Sequence, residues 1–353
     1  MRMFSGAGNY AYACARVKAR GANLLKRDDY LKLATMSLPE VGEFIGHSQY
    51  RQEVESLATR FSGAELVERA TYGNLAATYK KVLGFCQGEL RDVVYTYVRR
   101  IDLWNVKTIL RGASHKASKD ELRKETIPGG LLQLEGLIEA AQQGVSDVVE
   151  GLKGTEMHSP LKDALDAHGD GNLMPLENAL DKTYYANLLR NIAQHDKAHF
   201  FFRQYVHREI DVLNVMTLLK LKREELHAHE MPPEPERFAL DAGREITIKR
   251  FAELASMSPP RFLEAIKELS FYEEISGGAQ AMEALGEAGP MIRACERYLM
   301  RQSSKLSHLH PLSSLPVLHY LMAKRREVEN LRIVSRGKES GLDRDEIMEL
   351  LVI

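Results

Sequence analysis

Along most of this chain apolar side chains return every three or four residues, the period of a helix with one buried face, and sustained alternation is scarce. From Tyr10 to Lys26 the chain is rich in alanine and long unbranched side chains, and Tyr10, Ala13, Val17 and Leu24 fall on one stripe, which predicts a helix there. Ser37-Leu38-Pro39-Glu40 and Ser258-Pro259-Pro260-Arg261 read as helix starts, with serine as cap and proline in the first turn, where its missing N–H costs nothing. They predict short helices over Val41 to Gly46 and Phe262 to Leu269. Breaks are expected at Gly129-Gly130, at His168-Gly169-Asp170-Gly171-Asn172, at Pro232-Pro233-Glu234-Pro235 and at Ser276-Gly277-Gly278. The predicted class is all-α.

One helical pattern occurs three times. Ile101-Asp102-Leu103-Trp104-Asn105-Val106-Lys107-Thr108-Ile109-Leu110-Arg111 is matched by the segments Ile210 to Lys220 and Arg326 to Arg336. Aligned on Asn105, Asn214 and Asn330, each copy has an acid three positions before (Asp102, Asp211, Glu327) and a base six positions after (Arg111, Lys220, Arg336). Aliphatic residues stand one and four positions after the asparagine. A second landmark agrees: Leu33-Ala34-Thr35-Met36-Ser37 corresponds to Leu254-Ala255-Ser256-Met257-Ser258, and the match continues from Ile45 and Tyr50 to Ile266 and Phe271. A weaker middle match lays Val148 over Val41 and Leu152 over Ile45. The asparagines are 109 and 116 residues apart, a spacing long enough for a small domain. Three similar helical domains are therefore expected, over 1–118 (with the N-terminal helix), 119–236 and 237–353, with approximate threefold symmetry suited to a socket.

On a helix wheel Ile101, Asn105, Thr108 and Gly112 share a face, and so do Ile210, Asn214, Thr217 and Leu221. That mixture of apolar and small polar groups suits a contact whose register must be fixed. Asp102 and Arg111 are nine positions apart, about half a turn out of phase, so they cannot pair along their own helix. Their partners are expected in a neighbouring helix or another protein. The three asparagines read first as buried amides with a structural partner, since an unpaired buried amide costs about 1–3 kcal/mol. Arg111, Lys220 and Arg336 divide evenly between solvation and interface use.

Composition narrows the classes. The chain has 353 residues, 44% hydrophobic and 27% charged, enough apolar material for two or three cores. Its formal net charge of −1 removes the electrostatic argument for nucleic acid. Cys14, Cys86 and Cys295 are too few and too scattered for a disulfide framework or a zinc spacing, which fits a reducing compartment. No signal peptide is recognisable, and no window approaches the ~20 apolar residues of a membrane span.

No phosphate loop of the Gly-x-x-x-x-Gly-Lys-Ser/Thr kind occurs. His195-Asp196-Lys197-Ala198-His199 places two imidazoles one turn apart, but aspartate replaces the glutamate of the protease motif and a third ligand is not evident. No catalytic, cofactor or metal site is expected.

Three features together carry a resemblance. The opening Tyr10-Ala11-Tyr12-Ala13-Cys14-Ala15-Arg16, the Asp-x-x-Asn-x-x-x-x-x-Arg element from Asp102 to Arg111, and the three units resemble the C-subunit family of archaeal and bacterial A-type (V-type) ATP synthases, similar to the d subunit of the vacuolar ATPase. The likeness covers essentially the whole chain. Cys14 stands where asparagine is more usual, and Glu327 and Ser335 loosen the third copy. The resemblance implies a funnel of three helical domains, present once per complex, without chemistry of its own. It would sit at the cytoplasmic face of the membrane on the proteolipid rotor ring, receive the central shaft made by the D and F subunits, and act indirectly on the A3B3 nucleotide-binding head. The alternative is a free-standing cytoplasmic helical-repeat scaffold.

Overall fold

The computed structural model describes residues 8–193, 196–228 and 234–353, and among them there is helix but no strand. They divide into two compact units, Met1–Lys153 with Ser307–Ile353, and Gly154–Leu306. In chain order, the first unit opens with α1 (Tyr10–Gly21), α2 (Arg27–Thr35), α3 (Leu38–Gly46), α4 (Arg51–Leu57) and α5 (Gly63–Phe85). It continues with α6 (Gly88–Val98), α7 (Arg100–Ser114), α8 (Lys119–Glu125), α9 (Leu134–Ala141) and α10 (Val145–Gly151). The second unit contains α11 (His158–His168), α12 (Met174–Ala193), α13 (Asp196–Ala228), α14 (Ile248–Ser256) and α15 (Pro259–Ala265). After these come α16 (Tyr272–Ile275), α17 (Ala279–Leu285) and α18 (Gly289–Leu309), whose last residues belong to the first unit. The chain then returns to the first unit with α19 (Leu315–Glu339) and α20 (Arg344–Leu350).

The expected breaks at Gly129-Gly130 and at Gly169 to Asn172 fall between helices, whereas Pro232 and Pro233 lie outside the described residues. The N-terminal helix is shorter than its composition predicts. It ends at Gly21, and a new helix begins at Arg27. The intervening turn frees the Leu25 N–H from helical pairing and delivers it to Glu327. The serine starts behave as read: Ser37 N–H donates to the Glu40 carboxylate at 2.7 Å, closing the first turn of α3. Ser258 accepts the Phe262 N–H on its carbonyl at 2.9 Å at the head of α15.

In the first unit α19 packs along α5, where the Tyr79 hydroxyl donates to the Leu321 carbonyl at 3.1 Å. The far end of α19 closes a core with α2, α3 and α20 through Leu33, Val41, Ile45, Leu331, Val334 and Ile347, all fully buried. The second unit is built alike around α13, whose Val212, Val215 and Leu219 meet Phe251, Phe262 and Ile266. Each such side chain contributes about 1.5–3 kcal/mol relative to exposure. The aligned positions Val41, Val148 and Phe262 are each buried, as are Ile45, Leu152 and Ile266. Short helices bearing the second landmark therefore cover one face of each long helix that bears the first.

Candidate functional site

The three repeated segments lie on α7, α13 and α19. In each, the asparagine side chain binds both polar groups of a single backbone residue, as a neighbouring strand would. Asn105 Nδ2 donates to the Ile127 carbonyl at 2.8 Å, and Ile127 N–H returns to Oδ1 at 2.8 Å. Asn214 does the same with Leu240, at 2.9 and 2.8 Å. Asn330 does so with Val352, at 2.9 and 3.1 Å. All three amides are buried.

The acid one turn earlier grips the other end of the same loop. Asp102 Oδ1 accepts the N–H groups of Leu131 and Leu132 at 2.8 and 3.1 Å. Asp211 Oδ1 accepts those of Glu245 and Ile246 at 3.0 and 2.9 Å. Burial pushes both carboxyl groups above the usual aspartate range, and the paired N–H donors oppose that shift. Each aspartate thus finds its partners in backbone N–H groups of a loop 29 to 35 residues downstream, not in a neighbouring helix.

Each loop brings a glycine against its aspartate. A Cβ at Gly130 would stand 2.1 Å from Asp102 Oδ1, and one at Gly243 would meet the Ile246 carbonyl oxygen at 2.5 Å and Asp211 Oδ1 at 2.7 Å. Sequence reasoning placed Gly129-Gly130 as punctuation and passed over Gly243. The signal was available: both glycines precede the amides that the aspartate collects.

The third copy solves the same problem with two separate segments. Asn330 holds Val352, whereas Glu327 reaches to the N-terminal region. It accepts the Leu25 N–H, the Tyr50 hydroxyl, and Gln49 Nε2 at 2.9 Å. Lys324, itself fully buried, donates to Glu327 at 3.0 Å with its ammonium 4.0 Å from the centre of the Tyr50 ring. Burial lowers the Lys324 pKa, and the Glu327 charge opposes that shift without cancelling it. One continuous loop serves both side chains in the other copies; here the longer acid reaches a segment remote in sequence. Glu327 matches the repeat pattern only loosely because its partners are different.

The bases of the pattern are placed differently from the acid and amide. Arg111 and Lys220 are exposed. Arg336 pairs with Glu68 at 2.5 Å and with Glu339 at 2.9 Å, bridging α19 to α5. Trp104 is 40% exposed, with the Arg325 guanidinium 3.4 Å from its ring centre, a contact between α7 and α19 that the repeat did not suggest. His195 lies outside the described residues, and His199 is buried. No cluster of three metal-ligating side chains forms among the described residues. Nor is any described helix long and apolar enough to cross a membrane.

The sequence matches the family model for the ATP synthase (C/AC39) subunit over residues 13–350. It is 35% identical to the C subunit of the A-type ATP synthase of Methanosarcina mazei, over 99% of this chain and 94% of that one. It is 33% identical to that of Methanococcoides burtonii, over 100% of this chain and 97% of the relative. With the protein of the same name from Haloferax volcanii it shares 33% identity over 99% of both. The repeated clasp thus stands within a match that runs from α1 to α20, and the chain belongs to the ATP synthase (C/AC39) subunit family.

Proposed function

We propose that this chain is a non-catalytic rotor subunit of an A-type ATP synthase, seated between the membrane proteolipid ring and the central shaft made by the D and F subunits. Three helical domains of about 110 residues, related by approximate threefold repetition, would form a socket for the shaft. The subunit would be present once per complex, at the cytoplasmic face of the membrane, and would turn with the ring. The observation that carries this reading is the family match along the whole chain. The repeated clasp supports the three-unit organisation, because acid and amide fix a long helix to a loop farther down the chain in each of the first two copies, and the amide fixes α19 to the segment after α20 in the third.

Such a joint carries a large load. An ion crossing ~150 mV releases about 3.5 kcal/mol, and several are gathered per ATP, a total comparable with the stability of a domain, about 5–15 kcal/mol. Exposed ion pairs contribute ~0–1 kcal/mol each and could not hold it. The repeated acids and amides suit the task, since each spends its hydrogen bonds inside the subunit and stiffens it. Adhesion to ring and shaft falls to broader packed surfaces, with Arg111, Lys220 and Arg336 as candidates for fixing register there.

Sedimentation of the purified chain with vesicles tests the seat. Binding to vesicles that carry the proteolipid ring, and not to ring-free vesicles of the same lipid, is the expected result. Equal recovery with both would refute the ring as its support.

A further inference from the structure

The exposed side of α1 has an unusual charge balance. The helix carries Arg16, Lys18 and Arg20 and no acid, and Lys80 and Lys81, both exposed, stand near the end of the neighbouring α5. Elsewhere in the first unit exposed cations face carboxylates, as Arg51 does Glu55 and Arg123 does Glu135. Among the described residues Arg16, Lys18, Lys80 and Lys81 have none.

Arg16 is held in place all the same. Its guanidinium lies 5.4 Å from the centre of the Tyr12 ring and 5.0 Å from that of Phe85, and it donates to the Tyr12 hydroxyl at 2.6 Å. The two rings meet edge to face with centroids 6.5 Å apart. Stacking of this kind fixes the plane of a guanidinium while leaving its outer N–H groups for a carboxylate, so little side-chain entropy remains to be lost on binding.

Beside this arginine lies an apolar depression of about 450 Å³, lined by residues 8–12 and Leu312. Tyr12 is 53% exposed, Leu312 68% and the nearby Leu309 60%. The segment that carries these leucines is tied to α1 by the Cys14 thiol, which donates to the Ser313 carbonyl at 3.4 Å. Polar contacts also hold the residues that line it: the Tyr10 hydroxyl donates to Glu89 at 2.8 Å, Asn9 Nδ2 donates to the Phe85 carbonyl at 2.8 Å, and the Gln87 N–H donates to Asn9 Oδ1 at 3.0 Å.

The geometry points to this α1 surface as a docking site for an acidic protein segment, one that sets a carboxylate on Arg16 and an apolar side chain against Leu312 in the depression. This rests on the rotor reading above, and the segment belongs to the membrane-embedded rotor. Exposed leucines, an interfacial tyrosine and cations without carboxylate partners make up the composition favoured beside a membrane surface, where the field is negative. A lipid headgroup would share the anionic chemistry, but it has no need of a fixed guanidinium plane. Aromatic and arginine side chains in such a setting are the usual anchors of protein interfaces.

The test uses the full chain, native membranes stripped of their peripheral subunits, and protein-free liposomes of equal parts phosphatidylglycerol and phosphatidylcholine. Arg16→Glu and Leu312→Ser, both at exposed positions, should melt with the wild-type chain and bind the stripped membranes about tenfold or more weakly. The wild-type chain should leave the liposomes unbound. Undiminished binding of both variants to membranes that hold the wild type would overturn the proposed surface and leave the rotor reading standing. Liposome binding that Arg16→Glu abolishes would give the surface to headgroups and overturn the protein partner. If the wild-type chain fails to bind the stripped membranes, the rotor reading falls and this inference with it.

Discussion

At the scale of single residues, the asparagines and aspartates of the repeat are loop anchors whose cost of loss can be set from what they leave behind. Asn105→Leu would strand the N–H and carbonyl of half-buried Ile127, and Asn214→Leu those of buried Leu240. Each should lower unfolding free energy by about 1–3 kcal/mol, read by urea denaturation. Asp102→Asn keeps an oxygen for the Leu131 and Leu132 amides and removes a charge that burial disfavours, so it should stay within about 1 kcal/mol of wild type. A larger loss on that change would mean the ionised carboxylate is itself required. A different sensitivity comes from His319, whose burial, reinforced by the nearby His308, pushes its pKa down to about 4 from an ordinary 6.5. The unfolded chain takes up that proton at a higher pH than the folded one. Stability should therefore fall as pH drops from about 6.5 to about 4, by on the order of 2–3 kcal/mol, and level off below. His319→Gln should lack this component when the two proteins are compared by denaturation across that range.

At the scale of elements, the fold's regular part was legible and its closures were not. Helical spacing and the serine starts located α3 and α15, and the recurrence of acid, asparagine and base located α7, α13 and α19, because these signals lie within a dozen residues of sequence. The partners lie farther away. Asp211 and Asn214 take backbone groups 26 to 35 residues downstream, and nothing in the helix itself names them. Glu327 takes Leu25 across 302 residues, so the third copy looked degenerate when its acid was in fact matched to another loop. The break between Gly21 and Arg27 is hidden for the same reason, since helix-forming residues such as Ala22, Leu24 and Leu25 continue past Gly21 while the carboxylate that takes the free Leu25 N–H lies far off in sequence. This closure should be a stability hinge. Glu327→Ala would leave the Lys324 ammonium buried without its counter-charge and cost about 3–5 kcal/mol. Replacing both residues, Lys324→Met with Glu327→Gln, should recover much of that loss in the same urea assay. No recovery would show that the hydrogen bonds to Leu25, Gln49 and Tyr50 matter more than the buried charge.

At the scale of the whole molecule, the chain threads its first unit, builds the second, and returns to complete the first with α19 and α20. Early and late helices thus share one core, with Leu33 and Ile45 from the former and Ile347 and Leu351 from the latter. Loosening either group of helices would therefore open a core that the other shares. The exposed bases of the repeat are then candidates for contact with other subunits: Arg111→Glu and Lys220→Glu should weaken assembly or coupling more than they lower melting temperature. Equal loss of both would return these residues to a structural role. The central claim, that the chain is a joint in the rotor and not a free scaffold, is tested most directly by affinity purification of the tagged chain from gently solubilised native membranes, with mass spectrometry of what accompanies it. Recovery with the nucleotide-binding subunits of the head, the shaft subunits and a small proteolipid is the result the account predicts. Recovery of the chain alone, from the soluble fraction, would contradict it.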